Sequence, residues 1–171
     1  QIPAILRSVS ILKKIKNILV DTFYADKNDT LWIGSEQGLI KYNYKKNDLK
    51  IIPLAADTTG TGISCIYEDM NGDLLLGAGH HLCSLKEGKL EIIDSSGGAE
   101  IDYIFGILED SKGNMWIGTL RKGLFKFQHK TFIKQNINVI SKDYMVLSLF
   151  EDRRGVLWVG TEKGLLSIDD N

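Results

Sequence analysis

The sequence predicts an all-β chain built from one sheet-sized unit repeated four times. Three observations predict it. Asp26, Asp69, Asp110 and Asp152 stand 43, 41 and 42 residues apart. Each follows a short apolar run and opens turn chemistry, and Trp32, Trp116 and Trp158 each stand six residues after their aspartate. No long stretch carries a convincing helical period. Ile11–Ile18 comes nearest, and Lys13, Lys14 and Lys16 make it an ambiguous amphipathic run. Spacing in this range marks a repeat architecture, in which each unit needs its neighbours to bury a core.

The first strand of each unit is the apolar run before the aspartate: Ile18–Phe23, Ile63–Tyr67, Ile104–Leu108 and Val146–Phe150. Asp-x-x-Gly follows. The aspartate side chain can accept backbone amides two or more residues on, and glycine supplies the positive φ that closes the turn. In the first unit Asp29 stands at that position, and aspartate tolerates the left-handed region better than most residues. The second strand is Leu-Trp-Ile-Gly or a near relative, with Leu75 replacing the tryptophan in the second unit. Large and β-branched side chains suit a pleated, half-buried surface. Gly34, Gly77, Gly118 and Gly160 recur at its end. A second turn leads to a third strand: Leu39–Tyr42, Leu82–Leu85, Leu124–Phe127 and Leu165–Ile168. A looser fourth strand follows in three units: Leu49–Leu54, Lys89–Ile93 and Thr131–Asn136. Four short antiparallel strands per unit of this length make a β-propeller blade.

The pattern Glu-Asp-x-x-Gly-x-Leu-Trp-Ile-Gly-Thr, then Gly-Leu, resembles the two-component regulator propeller repeat. The third unit shows it over Glu109–Thr119 and Gly123-Leu124, and the fourth over Glu151–Thr161 and Gly164-Leu165. The first unit has Ala25-Asp26 in place of Glu-Asp, and the second has His81 where a glycine precedes the third strand. The resemblance covers nearly the whole chain. It implies the sensor region of a hybrid two-component histidine kinase of the Bacteroides type, a periplasmic location, and a ligand derived from a glycan. It implies no catalysis in this part of the protein and no cofactor.

The blades are expected over residues 15–56, 57–97, 98–139 and 140–171, with residues 1–12 having fourth-strand character. The chain ends after a third strand and begins with Gln1, so the sequence reads as an excised part of a longer protein. Either four blades belong to a larger ring, or a four-blade unit closes alone or as a homo-oligomer. An open arc would expose apolar end faces around Trp32 and Trp158, and such patches drive association. Partners are therefore expected to be further blades and a downstream sensor domain, or a second copy.

Composition excludes other classes. Net charge is −1 over 171 residues with no basic stripe, which argues against a nucleic-acid surface. No apolar run reaches the length of a membrane helix. The two cysteines, Cys65 and Cys83, fall on first and third strands of one blade, about 10 Å apart, too far for a disulfide.

The recurrence of the aspartates and tryptophans favours structural roles, turn closure and blade packing, over sugar stacking or catalysis. Asp69–Asp73 resembles the start of a calcium loop, but His80 stands where a bidentate glutamate is wanted. Function is expected in loops on the rigid scaffold. There the candidates for ligand contact are His80, His81, Tyr103, Arg121, Lys122, Tyr144 and Glu162. Adjacent histidines in extended chain point to opposite sides, so they rarely share one ion. Two alternatives differ in class. One is a protein-binding propeller without small ligand. The other is a propeller lyase like the streptogramin lyases, for which only His80 and His81 could serve.

Overall fold

The computed structural model describes residues 15–54, 62–94, 101–137 and 143–169, all-β in their regular structure. The first sheet contains β1 (Val20–Ala25), β2 (Thr30–Ser35), β3 (Gly38–Asn43) and β4 (Asp48–Ile52). The second contains β5 (Ile63–Glu68), β6 (Leu74–Ala78), β7 (His81–Lys86) and β8 (Lys89–Ile92). The third contains β9 (Ile104–Glu109), β10 (Met115–Thr119), β11 (Leu124–Gln128) and β12 (Thr131–Lys134). The fourth contains β13 (Val146–Glu151), β14 (Leu157–Thr161) and β15 (Gly164–Ile168). Every sheet is an antiparallel meander with its strands in chain order. The segment 1–12 lies outside the described residues.

The first strands β1, β5, β9 and β13 contact one another in succession, so they form the inner edge of the arc. Each opens with an irregular step in its pairing, at Val20/Thr22, Ile63/Cys65, Val146/Ser148 and, on the β10 side, Gly118/Thr119. Such bulges bend and twist a strand.

One core cluster lies at each junction. Trp32 and Leu39 of the first sheet pack with Ile63, Leu74, Leu76 and Cys83 of the second. Leu75 and Leu82 pack with Ile104, Ile107, Ile117 and Phe125. Trp116 and Leu124 pack with Val146, Leu157 and Val159. At these three junctions the second-strand position held by Trp32, Leu75 or Trp116 therefore faces the following sheet.

The recurring glycines have a steric cause. A Cβ on Gly34 would come within 2.8 Å of Ile63 Cγ2, on Gly77 within 2.8 Å of Ile104 Cγ2, and on Gly118 within 2.5 Å of Val146 Cγ1. A β-branched residue opening each inner strand thus inserts into a hole left by the preceding sheet's glycine. At Gly160 a Cβ would meet only Ser148 of its own sheet. Asp29 adopts φ 59°, matching Gly72, Gly113 and Gly155 at the same turn position in the other sheets. Cys65 and Cys83 are free thiols on β5 and β7.

Candidate functional site

Each turn aspartate divides its two oxygens between two tasks. Asp110 Oδ1 accepts the amides of Lys112 (3.0 Å) and Asn114 (2.7 Å), and Oδ2 accepts the Trp116 indole N–H at 2.8 Å. Asp26 does the same for Asn28, Thr30 and Trp32, and Asp152 for Arg154, Val156 and Trp158. Asp69, opposite Leu75, holds only the turn amides of Asn71 and Asp73. Burial works against charge on Asp110 and Asp26, but the indole and amide donors outweigh it and hold both carboxyls below the usual range. For Asp152 the Arg154 side chain is the main cause of the same shift, followed by Trp158. Lys41 and Lys126 stand over the Trp32 and Trp116 rings at 5.1 and 5.3 Å. Each lysine covers one face of its ring.

The glutamate beside the aspartate has a role that its local sequence does not disclose. Glu68 accepts the Tyr24 hydroxyl at 2.7 Å from the preceding sheet. Glu109 accepts the Met70 amide at 2.8 Å. Glu151 accepts both the amide (2.8 Å) and hydroxyl (2.6 Å) of Ser111. The glutamate is a staple from each sheet to the one before it. The only signal for it in the sequence is its recurrence.

The candidate loop residues fall into two groups. His80, His81 and Tyr103 come together: His80 meets His81 and Tyr103 edge-on, with ring centroids 6.1 and 6.5 Å apart. Only His80 of the two histidines is exposed. His81 is a correction to the loop-contact expectation. It opens β7, is buried, and sets Nδ1 3.3 Å from the buried Asp94 carboxylate, which also accepts the Leu82 amide. The second group lies between the third and fourth sheets. Arg121, in contact with Asp102 at 3.3 Å, and Glu162, which accepts the Met145 amide, line a shallow hollow of about 290 Å³. The Lys122 amide is donated to the Thr119 hydroxyl, which fixes the turn. Tyr144 also lines this hollow beside Arg121 and Glu162. It is buried in the core, its ring filling the space that a Cβ on Gly123 would take.

A further hollow brings together aromatic and acidic side chains. It encloses about 390 Å³ at the inner edge and is lined by Leu19, Asp21, Glu36, Gly62, Ser64, Tyr103 and Phe105. Equivalent positions in three successive sheets supply it, together with Glu36 from the β2–β3 turn. Phe105 is exposed, and Asp21 and Glu36 form no ion pair among the described residues. Of this set only Tyr103 was singled out from the sequence. Another hollow of about 350 Å³ includes Asp26, Trp32, Lys41 and Glu68, all engaged in the contacts above. Among the described residues no cluster of three or more metal-ligating side chains occurs.

The two-component regulator propeller family matches residues 100–121 and 138–163. Two similar solved structures are extracellular domains described as those of the hybrid two component systems BT3049 and BT4673 of B. thetaiotaomicron. They are 23% and 25% identical, with TM-scores of 0.68 and 0.70. Each alignment covers 88% of this chain, against 20% and 21% of those chains, so the sequence spans about one fifth of their length. The virginiamycin B lyase of Staphylococcus aureus is 12% identical with a TM-score of 0.61, over 88% of this chain and 55% of the lyase. That likeness is one of fold alone. A search of curated proteins gives no match.

Proposed function

We infer, from its two-component regulator propeller repeats, that this chain is part of the extracytoplasmic sensor region of a Bacteroides-type hybrid two-component regulator. It is a non-catalytic segment that binds, or frames the binding of, a glycan-derived ligand, and its response passes to a histidine kinase. The matched repeats and the two extracellular domains of the same architecture support the sensor reading. Ligand binding would act by favouring one arrangement of the propeller against its neighbouring domains.

The observation that carries the ligand reading is the inner-edge hollow. Tyr103 and Phe105 offer aromatic surface for the C–H face of a sugar ring. Asp21 and Glu36 offer carboxylate acceptors for hydroxyl pairs, and Ser64 adds a polar group. Among the described residues that line the hollow none is a cation, so the ligand that fits is neutral or amine-bearing, and uronic or sulfated glycans are disfavoured by like charge.

Calorimetry of the chain against neutral, amine-bearing and acidic oligosaccharides of matched length tests this. Heat with a neutral or amine-bearing oligomer, weakened about tenfold or more by Phe105→Ala, is expected. No heat with any oligomer, or preference for the acidic series, contradicts it. A second reading, a protein-binding propeller, is favoured by one observation: the apolar face of the fourth sheet is open.

A further inference from the structure

The turn between β5 and β6 departs from its counterparts in two ways. It reads Asp69-Met70-Asn71-Gly72-Asp73, and Asn71-Gly72 is the one Asn-Gly pair in the chain. Its aspartate also lacks the tryptophan partner. In the other three sheets one carboxylate oxygen accepts the indole N–H of Trp32, Trp116 or Trp158. Leu75 stands in that place here and donates nothing. The turn is held by the Asn71 (2.9 Å) and Asp73 (2.8 Å) amides on Asp69 Oδ1 and by backbone bonds, among them Gly72 N–H on the Asp69 carbonyl at 2.9 Å.

In an Asn-Gly pair the glycine nitrogen can reach the asparagine side-chain carbonyl carbon with no Cβ in the way. The surroundings of Asn71 suit that attack. Asn71 and Gly72 are both exposed, and a Cβ on Gly72 would meet nothing within 4 Å. The Asn71 side-chain amide makes no hydrogen bond among the described residues. In the third sheet's turn Asn114 is tied instead through Nδ2 to Asp110 at 2.8 Å. The Gly72 N–H bond to Asp69 has to break first, so reaction proceeds from transiently opened turns. Without an indole to pin Asp69, such opening costs one charge-assisted bond fewer.

We propose that Asn71 is a site of spontaneous deamidation, at which the chain modifies itself without enzyme or cofactor. The Gly72 nitrogen gives its proton to solvent and bonds to Asn71 Cγ. The Cγ–Nδ2 bond breaks and ammonia leaves, giving a succinimide. Water then opens the ring at either carbonyl, leaving aspartate or isoaspartate, and nothing is oxidised or reduced. In the isoaspartate the main chain runs through Cβ and Cγ, so the turn gains one backbone carbon, and a new carboxylate stands between Asp69 and Asp73. Met70, the residue before, donates its amide to Glu109 of the third sheet at 2.8 Å. A longer and more negative turn displaces that donor and repels Glu109, so the modification loosens the junction between the second and third sheets. The inference is independent of the ligand reading.

Incubation of the 171-residue chain at neutral and mildly alkaline pH, followed by peptide mass spectrometry with isoaspartate detection, tests it. The expected result is a gain of one mass unit in the peptide holding Asn71, largely as isoaspartate, faster at the alkaline pH and lost in Asn71→Gln. In the modified, still folded chain Met70 amide exchange should rise while that of Ser111, at the next junction, stays unchanged. An Asn71 peptide that keeps its mass in the folded chain and gains it only in denaturant would overturn the proposal. Deamidation that leaves Met70 exchange unaltered would overturn the link to the junction.

Discussion

The Asp110 carboxylate accepts the Trp116 indole N–H at 2.8 Å while its other oxygen closes the turn between β9 and β10. One residue therefore fixes both the turn inside a sheet and the orientation of the side chain that seals the next junction. The pair recurs as Asp26 with Trp32 and Asp152 with Trp158.

The tryptophans should differ in what they contribute. Trp116 is buried against Val146, Leu157 and Val159. Trp116→Ala should cost roughly 3–5 kcal/mol by denaturant unfolding. Trp158 has no following sheet on it, and Trp158→Ala should cost less than about 2 kcal/mol. A loss below about 1 kcal/mol at Trp116 would place that ring in solvent and reopen sugar stacking.

The glycine holes give a sharper contrast. Gly118→Ala would drive its Cβ to 2.5 Å from Val146 Cγ1 and should cost about 1–3 kcal/mol. Gly160→Ala meets only the Ser148 hydroxyl, a side chain able to rotate away, and should cost about 1 kcal/mol or less. Equal losses at the two positions would mean that the fourth sheet is already covered.

Acid should unfold the chain through the turn aspartates. Asp26, Asp110 and Asp152 all have their pKa lowered in the folded state. A lowered carboxyl adds stability above its unfolded pKa of about 3.9, and that contribution is lost as pH falls through the folded pKa. Melting temperature should hold near neutrality and fall below about pH 4. Asp110→Asn should lower stability at neutral pH and flatten that acid slope. A slope unchanged by the substitution would remove Asp110 from the account.

The staples are worth less individually, because they lie near solvent. Glu151→Ala removes two hydrogen bonds to Ser111 and should cost about 1 kcal/mol. Combining it with Ser111→Ala should cost little more than the single change at Glu151, since both remove the side-chain bond. Full additivity would show that the two residues do not interact.

Strand order and sheet number were legible because three of the four units write the turn as Asp-x-x-Gly and three build the second strand around a tryptophan. Even the departures were readable: Asp29 takes the left-handed position that glycine fills elsewhere. Relations between units were not legible. Glu109 and Met70 lie 39 residues apart in the chain, and only the stacking of sheets brings them together. Gly118 reads as the recurring glycine at a strand end, and its reason appears only when Val146 is seen against it. His81 and Tyr144 occupy loop-side positions in the repeat, yet one opens a strand beside Asp94 and the other fills the space over Gly123. Asp21 and Glu36 belong to no motif. Their juxtaposition with Tyr103 and Phe105 exists only at the inner edge, where three sheets meet.

The central claim is that each sheet seals the tryptophan or leucine face of the one before it and that the fourth face is left uncovered. Acrylamide quenching of three single-tryptophan variants, retaining in turn Trp32, Trp116 and Trp158, measures this directly. Strong quenching of Trp158 alone, with Trp32 and Trp116 shielded, is the predicted result; uniform quenching, or a shielded Trp158 in the monomeric chain, would contradict it.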